Sequence, residues 1–252
     1  MDVVLVTLAS LSAGFVDAIV GGGGLILVPA LFAVFPTAPP ATLFGTNKSA
    51  SIWGSLFASM QYSRQVKLPF AALLPALLMA FIGSFLGAWL VTIIAPDFLR
   101  KSLPFLLFAI LLYTFAKKDL GHHHAPRLQA SHEVWAICTI GLVLGFYDGF
   151  FGPGTGSFLV FVFVRFLGYD FLNASASAKL INVATNLAAL ILFSLKGHVW
   201  WHLALPMALA NIAGSLLGTR LALKHGTGFV RVMFLLVVSA LICKTSYDAF
   251  LK

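Results

Sequence analysis

Long apolar runs separated by short polar stretches dominate the sequence and predict a bundle of membrane helices. Most of these runs approach the roughly 20 residues that a helix needs to cross a bilayer. They fall into two sets, one in each half of the chain. In the first half they cover about residues 3–20, 24–35, 42–62, 69–95 and 98–116, and in the second about residues 134–151, 156–167, 172–195, 199–223 and 228–249.

The second run of each half has only about 12 residues and follows a cluster of glycines. One continuous helix over residues 3–35 would be roughly 50 Å long, whereas the hydrocarbon core of a bilayer is about 30 Å thick. We therefore expect two shorter helices, which either span the membrane or re-enter it as a hairpin. In both cases they return the chain to the side on which it started.

The two halves of the sequence repeat one another with an offset of 131 residues. Asp17 falls on Asp148, and Lys48 falls on Lys179. The offset also aligns Gly14, Gly21, Gly23, Pro75, Gly83, Ser84, Gly87, Phe98 and Arg100 with Gly145, Gly152, Gly154, Pro206, Gly214, Ser215, Gly218, Phe229 and Arg231. This register extends across nearly the whole half and indicates an internal duplication.

The distribution of basic residues favours halves that are inverted relative to one another. Cytoplasmic loops of membrane proteins carry an excess of Lys and Arg. Inverted halves place nine basic residues on one side and five on the other, whereas parallel halves give eight and six. The nine are Arg64, Lys67, Lys117, Lys118, Arg127, Arg165, Arg220, Lys224 and Arg231, and the five are Arg100, Lys101, Lys196, Lys244 and Lys252.

We therefore predict an all-α polytopic membrane protein built from two inverted-topology repeats. Each repeat has about five helical segments, including a short pair broken by glycines, which gives about 8–10 membrane segments. Residues 1–116 form the first half, residues 117–133 a cytoplasmic linker and residues 134–252 the second half, with both termini outside.

The composition agrees with this fold and excludes several classes of protein. Hydrophobic residues make up 60% of the chain and charged residues 10%, against about 45–50% and about 25% in soluble domains. A soluble enzyme and a disordered chain are both excluded. The net charge of +8 would suggest nucleic-acid binding in a soluble domain. Here the basic residues lie mostly between apolar runs, so no nucleic-acid partner is expected.

Glycine clusters inside the apolar runs predict broken helices around a central cavity. Non-helical backbone at membrane depth is tolerated only inside protein or beside a water-filled cavity. Each break starts a half-helix whose N–H groups and positive dipole end attract anions, as in the central sites of many transporters. Close helix packing is the alternative, which suits the GxxxG spacing of Gly83/Gly87 and Gly214/Gly218. The substrate-binding candidates are Gly22, Gly23, Gly24, Gly154, Thr155 and Gly156.

Lys48 and Lys179 are charged residues at equivalent positions inside apolar runs. An ionised lysine in hydrocarbon costs about 2.5–3.5 kcal/mol on insertion scales, so a pair of them indicates a function. Both helices carry polar stripes, formed by Asn47, Ser51 and Ser55 and by Lys179, Asn182 and Asn186. A cavity with these groups suits an anion with several oxygens. The alternative is that each lysine pairs with an aspartate or caps backbone carbonyls.

Asp17 and Asp148 are also equivalent and lie near the glycine clusters. They neutralise the two lysines, carry protons as coupling groups, or make structural ion pairs and helix-end contacts. The sequence does not decide which lysine pairs with which aspartate.

No cofactor or metal is expected from the motifs. The His122–His124 tract lacks the cysteines or carboxylates that would complete a metal site. The Gly152–Gly156 cluster lacks the lysine of a P-loop and the serine of a nucleophile elbow. No histidine in an apolar run pairs with a nucleophile, so an intramembrane enzyme is not expected.

Three segments of the sequence carry a recognisable pattern: the run from Asp17 to Gly24 with the following Pro29, the motif from Gly45 to Lys48, and the segment from Ser175 to Asn182. In these segments the chain resembles the sulfite exporter TauE/SafE family, also called the toluene-sulfonate uptake permeases. The Gly-Ser-x-x-Gly of both halves belongs to the same pattern, and the resemblance covers essentially all 252 residues. It implies a secondary transporter of the bacterial inner membrane for sulfur-containing anions such as sulfite, sulfonates or sulfoacetate. Pro153 and Thr155 depart from the glycine-rich pattern, so the two half-sites are expected to bind unequally.

We therefore expect a multi-pass plasma-membrane transporter that moves a small sulfur-containing anion by alternating access. Its partners would be the anionic substrate, the lipid bilayer and a coupling ion, either a proton or sodium. An anion channel with the same midplane site and a membrane-embedded adaptor are the alternatives. Direction of transport and oligomeric state do not follow from the sequence.

Overall fold

The computed structural model describes residues 1–94 and 130–250, and these ranges are helical with no β-strand. The predicted all-α class is therefore confirmed. The predicted run over residues 98–116 and linker residues 117–129 lie outside the described residues. The helices are α1 (Asp2–Val20), α2 (Gly24–Val34), α3 (Pro40–Ser63), α4 (Phe70–Ile93), α5 (Ala130–Phe150), α6 (Thr155–Val162), α7 (Phe171–Leu195) and α8 (Trp201–Phe250), with a π-helical turn over Phe163–Leu167 after α6.

Local sequence explains most of the helix boundaries. α1 ends at Gly21, whose φ of 76° belongs to the left-handed region that glycine adopts readily. α3 begins with Pro40, which lacks the N–H that the first turn leaves unbonded. Asp170 caps α7 by accepting from the Asn173 N–H. Gly226 interrupts α8 with non-helical backbone, so the two runs predicted there meet at this glycine.

Five helices in the described part of the chain are long and apolar enough to cross a membrane: α1, α4, α5 from His132, α7 and α8 as far as Val230. α3 has 24 residues and a similar length, but polar residues lower its hydropathy, and most of it is buried. α2 and the segment Thr155–Leu167 are shorter apolar helices, separate from the helices before them, as the glycine clusters predict.

Glycines set the closest helix contacts, and these contacts come in equivalent pairs. A Cβ atom on Gly214 of α8 would overlap the carbonyl oxygen of Leu11 on α1. A Cβ atom on Gly83 of α4 would overlap the carbonyl oxygen of Leu142 on α5. The offset of 131 residues converts one contact into the other. The first helix of each half thus packs against the fourth helix of the other half.

The contacts also fix the relative directions of the helices. Ser10 of α1 donates to the carbonyl oxygen of Met207, and further along both helices Phe15 lies against Gly218. α1 and α8 therefore run in the same direction.

α3 and α7, which are equivalent under the offset, run in opposite directions. Gly45 of α3 lies against Phe193 of α7. Ten residues later on α3 and seven residues earlier on α7, the Nδ2 atom of Asn186 is 3.5 Å from the Oγ atom of Ser55. Ser55 and Asn186 are themselves 131 residues apart. The point where α3 and α7 cross thus joins equivalent positions.

We predict that Gly214→Ala destabilises the protein because the new methyl group meets backbone that no side-chain rotation can move. The cost expected from overpacking is about 1–3 kcal/mol, and Gly83→Ala should behave similarly. A drop in the thermal midpoint of the purified protein in detergent would show this. Gly228→Ala is the matched control, because a Cβ there meets nothing within 4 Å. Equal midpoints for Gly214→Ala and Gly228→Ala would contradict the prediction.

Candidate functional site

A small polar cavity lies where α1, α3, α5 and α7 meet the two glycine clusters. Its volume is about 30 Å³. Because a cavity needs about 10–15 Å³ to hold one water molecule, this one is large enough for water. Four equivalent pairs line it: Asp17 and Asp148, Gly21 and Gly152, Ser51 and Asn182, and Ser55 and Asn186. Gly24, Asn47, Lys48 and Gly156 complete the lining.

Two buried ion pairs flank this cavity, and each joins the two halves of the chain. The Nζ atom of Lys48 lies 2.5 Å from Oδ2 of Asp148, and the Nζ atom of Lys179 lies 2.6 Å from Oδ2 of Asp17. The lysine side chains are 3% and 0% exposed. Each lysine thus pairs with the aspartate of the opposite half, which the sequence had left open. In this environment an ionised lysine needs such a partner.

Asp17 connects several elements around the cavity. Its Oδ1 atom accepts a hydrogen bond from the Gly23 N–H at 3.3 Å, and Ser55 Oγ lies 3.5 Å from Oδ2. The carboxylate therefore contacts the start of α2, the middle of α3 and Lys179 on α7. A movement of any of these elements would change the environment of this carboxylate.

The two glycine clusters pack against each other, backbone to backbone. Gly21 and Gly152 both have positive φ values, of 76° and 85°. A Cβ atom on Gly21 would overlap the backbone of Gly156, and one on Gly24 would lie 3.1 Å from Cα of Pro153. The helix breaks of the two halves therefore meet at the cavity, and side chains at these positions would hold them apart.

Two amide oxygens beside the cavity lack a hydrogen-bond donor among the described residues. They are Oδ1 of Asn47 and Oδ1 of Asn182, and both are buried. Because buried polar atoms are nearly always hydrogen-bonded in proteins, an occupant of the cavity that donates hydrogen bonds or carries positive charge would be stabilised there.

The structure places nine of the fourteen predicted site residues in the cavity lining: Asp17, Gly24, Asn47, Lys48, Ser51, Asp148, Gly156, Asn182 and Asn186. The other five, which do not line it, are Gly22, Gly23, Gly154, Thr155 and Lys179. Lys179 is bonded to a lining residue, Asp17. The Thr155 hydroxyl donates to the carbonyl of Gly152, and Gly154 is the N-cap residue of α6.

Three further residues line the cavity that were not among the predicted binding residues, namely Gly21, Gly152 and Ser55. Of these, Ser55 was predicted only as part of the polar stripe on α3. The internal repeat of the sequence could have identified all three. Gly21 and Gly152 are equivalent under the offset, and Ser55 is the equivalent of the predicted Asn186.

Comparison with known proteins identifies a family and several relatives. The family described as sulfite exporter TauE/SafE matches residues 6–245. "Probable membrane transporter protein ORF9" of Sinorhizobium sp is 38% identical, covering 95% of this chain and 90% of that protein. "Probable membrane transporter protein YfcA" of Escherichia coli K12 is 37% identical, covering 94% and 87%. A "Probable membrane transporter protein" of Haemophilus influenzae is 36% identical, covering 94% and 91%. No solved structure matches significantly.

We predict that Lys48→Met, which leaves the buried Asp148 carboxylate without its cation, destabilises the protein by about 3–5 kcal/mol. The double variant Lys48→Met/Asp148→Asn should recover most of this loss, because it leaves no unpaired charge. Unfolding free energies of the four proteins of this cycle, measured in mixed micelles, test the coupling. Losses that simply add in the double variant would show that the pair is not coupled.

Proposed function

The chain belongs to the sulfite exporter TauE/SafE family of membrane transporters, and we propose that it carries a small sulfur-containing oxyanion, such as sulfite, a sulfonate or sulfoacetate, across the plasma membrane by alternating access. The observation that carries this proposal is the central cavity with its crossed ion pairs. A bound oxyanion would compete with Asp148 for Lys48 and with Asp17 for Lys179. Asn and Ser groups of the lining would supply further hydrogen bonds.

The proposal includes two halves, residues 1–116 and 134–252, in inverted orientation, joined by a cytoplasmic linker over residues 117–133. The antiparallel course of the equivalent helices α3 and α7 supports the inversion. Halves related by an axis along the membrane normal would instead keep equivalent helices parallel. In this arrangement Arg64 and Lys67 lie on the same membrane face as Arg220 and Lys224, as the positive-inside rule favours.

The positions of the two ion pairs support alternating access. Lys48 and Lys179 each lie seven residues before the contact between Ser55 and Asn186, which is about 10 Å along a helix. Because α3 and α7 run in opposite directions, the two lysines lie on opposite sides of that contact. In a cavity of about 30 Å³ a sulfonate does not fit, so entry requires the halves to separate on one side. Separation would break one ion pair while the other keeps the second side closed.

The same contacts support coupling to a cation. When an oxyanion takes the place of a carboxylate beside a lysine, the released Asp17 or Asp148 is left as an unpaired buried charge. A proton or a sodium ion would neutralise it, and the amide oxygens of Asn47 and Asn182 are suitable neighbours for such a cation. Anion and cation would then move together.

The transport proposal predicts saturable uptake of sulfite, sulfonates or sulfoacetate into proteoliposomes, with carboxylates of similar size taken up more slowly. Lys48→Met/Asp148→Asn should lower this uptake at least tenfold, because a charge-assisted hydrogen bond contributes about 1.5–3 kcal/mol. Lys196→Met/Asp2→Asn is the matched control, with the same change of residue types away from the cavity. Equal uptake by both double variants would exclude the lysine site.

The same flux measurements distinguish the carrier from an anion channel. A carrier gives uptake that saturates and that a proton or sodium gradient drives against the anion gradient. A channel gives unsaturated flux that follows the anion gradient and the membrane potential alone.

A further prediction concerns Asp148→Asn, which leaves Lys48 free to accept an anion. Millimolar substrate should raise the thermal midpoint of this variant more than that of the wild type, because the anion no longer competes with the carboxylate. Proton uptake that accompanies transport, followed with a pH-sensitive dye, should be reduced. A purely structural ion pair would give no anion-dependent stabilisation of the variant.

A further inference from the structure

A second and much larger cavity, open at the surface and lined mostly by exposed side chains, lies away from the central site, between the end of α3 and α8. Its volume is about 330 Å³. Among the described residues, three cations, two amides and one leucine line it: Arg64, Arg220, Lys224, Gln61, Gln65 and Leu223. Its chemistry is therefore that of an anion site, although the transport mechanism above makes no use of it.

Helix spacing explains why these side chains converge. On α8 the lining residues Arg220, Leu223 and Lys224 follow the spacing i, i+3, i+4, which places them on one face. Gln61 lies on the last turn of α3, and Arg64 and Gln65 lie in the turn that follows it. α3 and α8 run in the same direction, because Thr46 accepts from the Trp200 N–H and the carbonyl of Gly54, further on, accepts from Ser215. The polar face at the end of α3 thus meets its counterpart on α8.

The positive charge in this cavity has no carboxylate partner among the described side chains. Asp17 and Asp148 pair with the buried lysines. Glu133 accepts from Tyr169, and Asp170 accepts from Asn173. Asp2 lies at the start of α1, the opposite end of the bundle. In addition, Oε1 of Gln61 is buried without a donor among the described residues.

The basic cavity has no equivalent in the other half, in contrast to the central site. Subtracting or adding 131 residues converts its three cationic positions Arg64, Arg220 and Lys224 into Leu195, Trp89 and Ile93. Only Gln65 gains a charge at the equivalent position, which is Lys196. The duplication therefore retained the lysines of the centre, whereas the cations of this cavity occur at one end of the bundle only.

We infer that the basic cavity binds a tetrahedral oxyanion group, namely a phosphate, sulfate or sulfonate, at one face of the membrane. Arginine forks bind such oxygens bidentately, and a lysine adds a point charge. The group belongs either to an anionic lipid headgroup or to a free anion, in which case the cavity is a vestibule of the proposed transport path. The inference concerns binding at this cavity and does not require the central site to function.

The test uses the full chain in nanodiscs of phosphatidylcholine at low ionic strength, in the Lys48→Met/Asp148→Asn background so that Lys48 of the central site does not contribute. The buried Lys179 is common to all the variants compared. Sulfate and phosphate should raise the thermal midpoint saturably. Arg220→Gln/Lys224→Gln should raise the half-saturating concentration at least tenfold. Lys67→Gln/Lys196→Gln, which removes the same charge outside the cavity, should leave it unchanged.

A second arm adds phosphatidylglycerol to the nanodiscs. If the lipid headgroup occupies the cavity, this lipid stabilises the protein and abolishes the sulfate response, and Arg220→Gln/Lys224→Gln loses that stabilisation. If a free anion occupies it, the sulfate response persists. Equal responses of Arg220→Gln/Lys224→Gln and its parent to sulfate, phosphate and phosphatidylglycerol would overturn the inference. Failure of transport in proteoliposomes would leave this result unaffected, so the two proposals fail separately.

Discussion

Burial of two lysines is the constraint on which the centre of this protein depends. Lys48 and Lys179 are almost fully enclosed, and the carboxylates that neutralise them come from the opposite half of the chain. Either half alone would keep one buried lysine and one buried aspartate without their partners, at a cost of several kcal/mol for each. The halves therefore complete each other chemically as well as through their packing.

The glycines make these ion pairs geometrically feasible. Asp17 lies near the end of α1, and it reaches Lys179 because the break at Gly21 lets α1 approach the second half. The backbone of Gly21 lies so close to Gly156 that no side chain fits between them. Similar backbone contacts at Gly83 and Gly214 hold the first helix of each half against the other half. Small residues thus replace the hydrophobic effect, which cannot drive helix association within lipid.

Much of this arrangement could be predicted from the sequence, because a duplication carries structural information. The offset predicted that Asp17 is equivalent to Asp148 and Lys48 to Lys179, and hydrophobic length predicted short helices after the glycine clusters. The pairing could not be predicted, since equivalence specifies which residues share a role but not which of them meet. Predicting the pairing would have required knowledge of how α3 and α7 cross, which depends on contacts such as that between Ser55 and Asn186.

Predicted site residues that do not line the cavity use polar groups within the protein. The glycine clusters were expected to offer their N–H groups to a ligand. Instead the Gly23 N–H donates to Asp17, and Thr155 donates to the carbonyl of Gly152. Much of the polarity at the helix breaks is therefore used within the protein. What faces the cavity comes mainly from side chains of α3 and α7, together with the glycine positions that allow the closest approach.

A duplicated centre also limits what the site can do by itself. In the proposed inverted arrangement, Lys48 with Asp148 and Lys179 with Asp17 offer nearly the same ligands toward the two faces of the membrane. Because these residue types repeat, differences between the faces come from positions at which the halves differ, and Pro153 and Thr155 are two such positions at the centre. The cations at the end of α3 and on α8 are residues of this kind. A negatively charged solute approaching that face meets an attractive potential, whereas at the equivalent positions the other face has Leu195, Trp89 and Ile93, with Lys196 as the one cation.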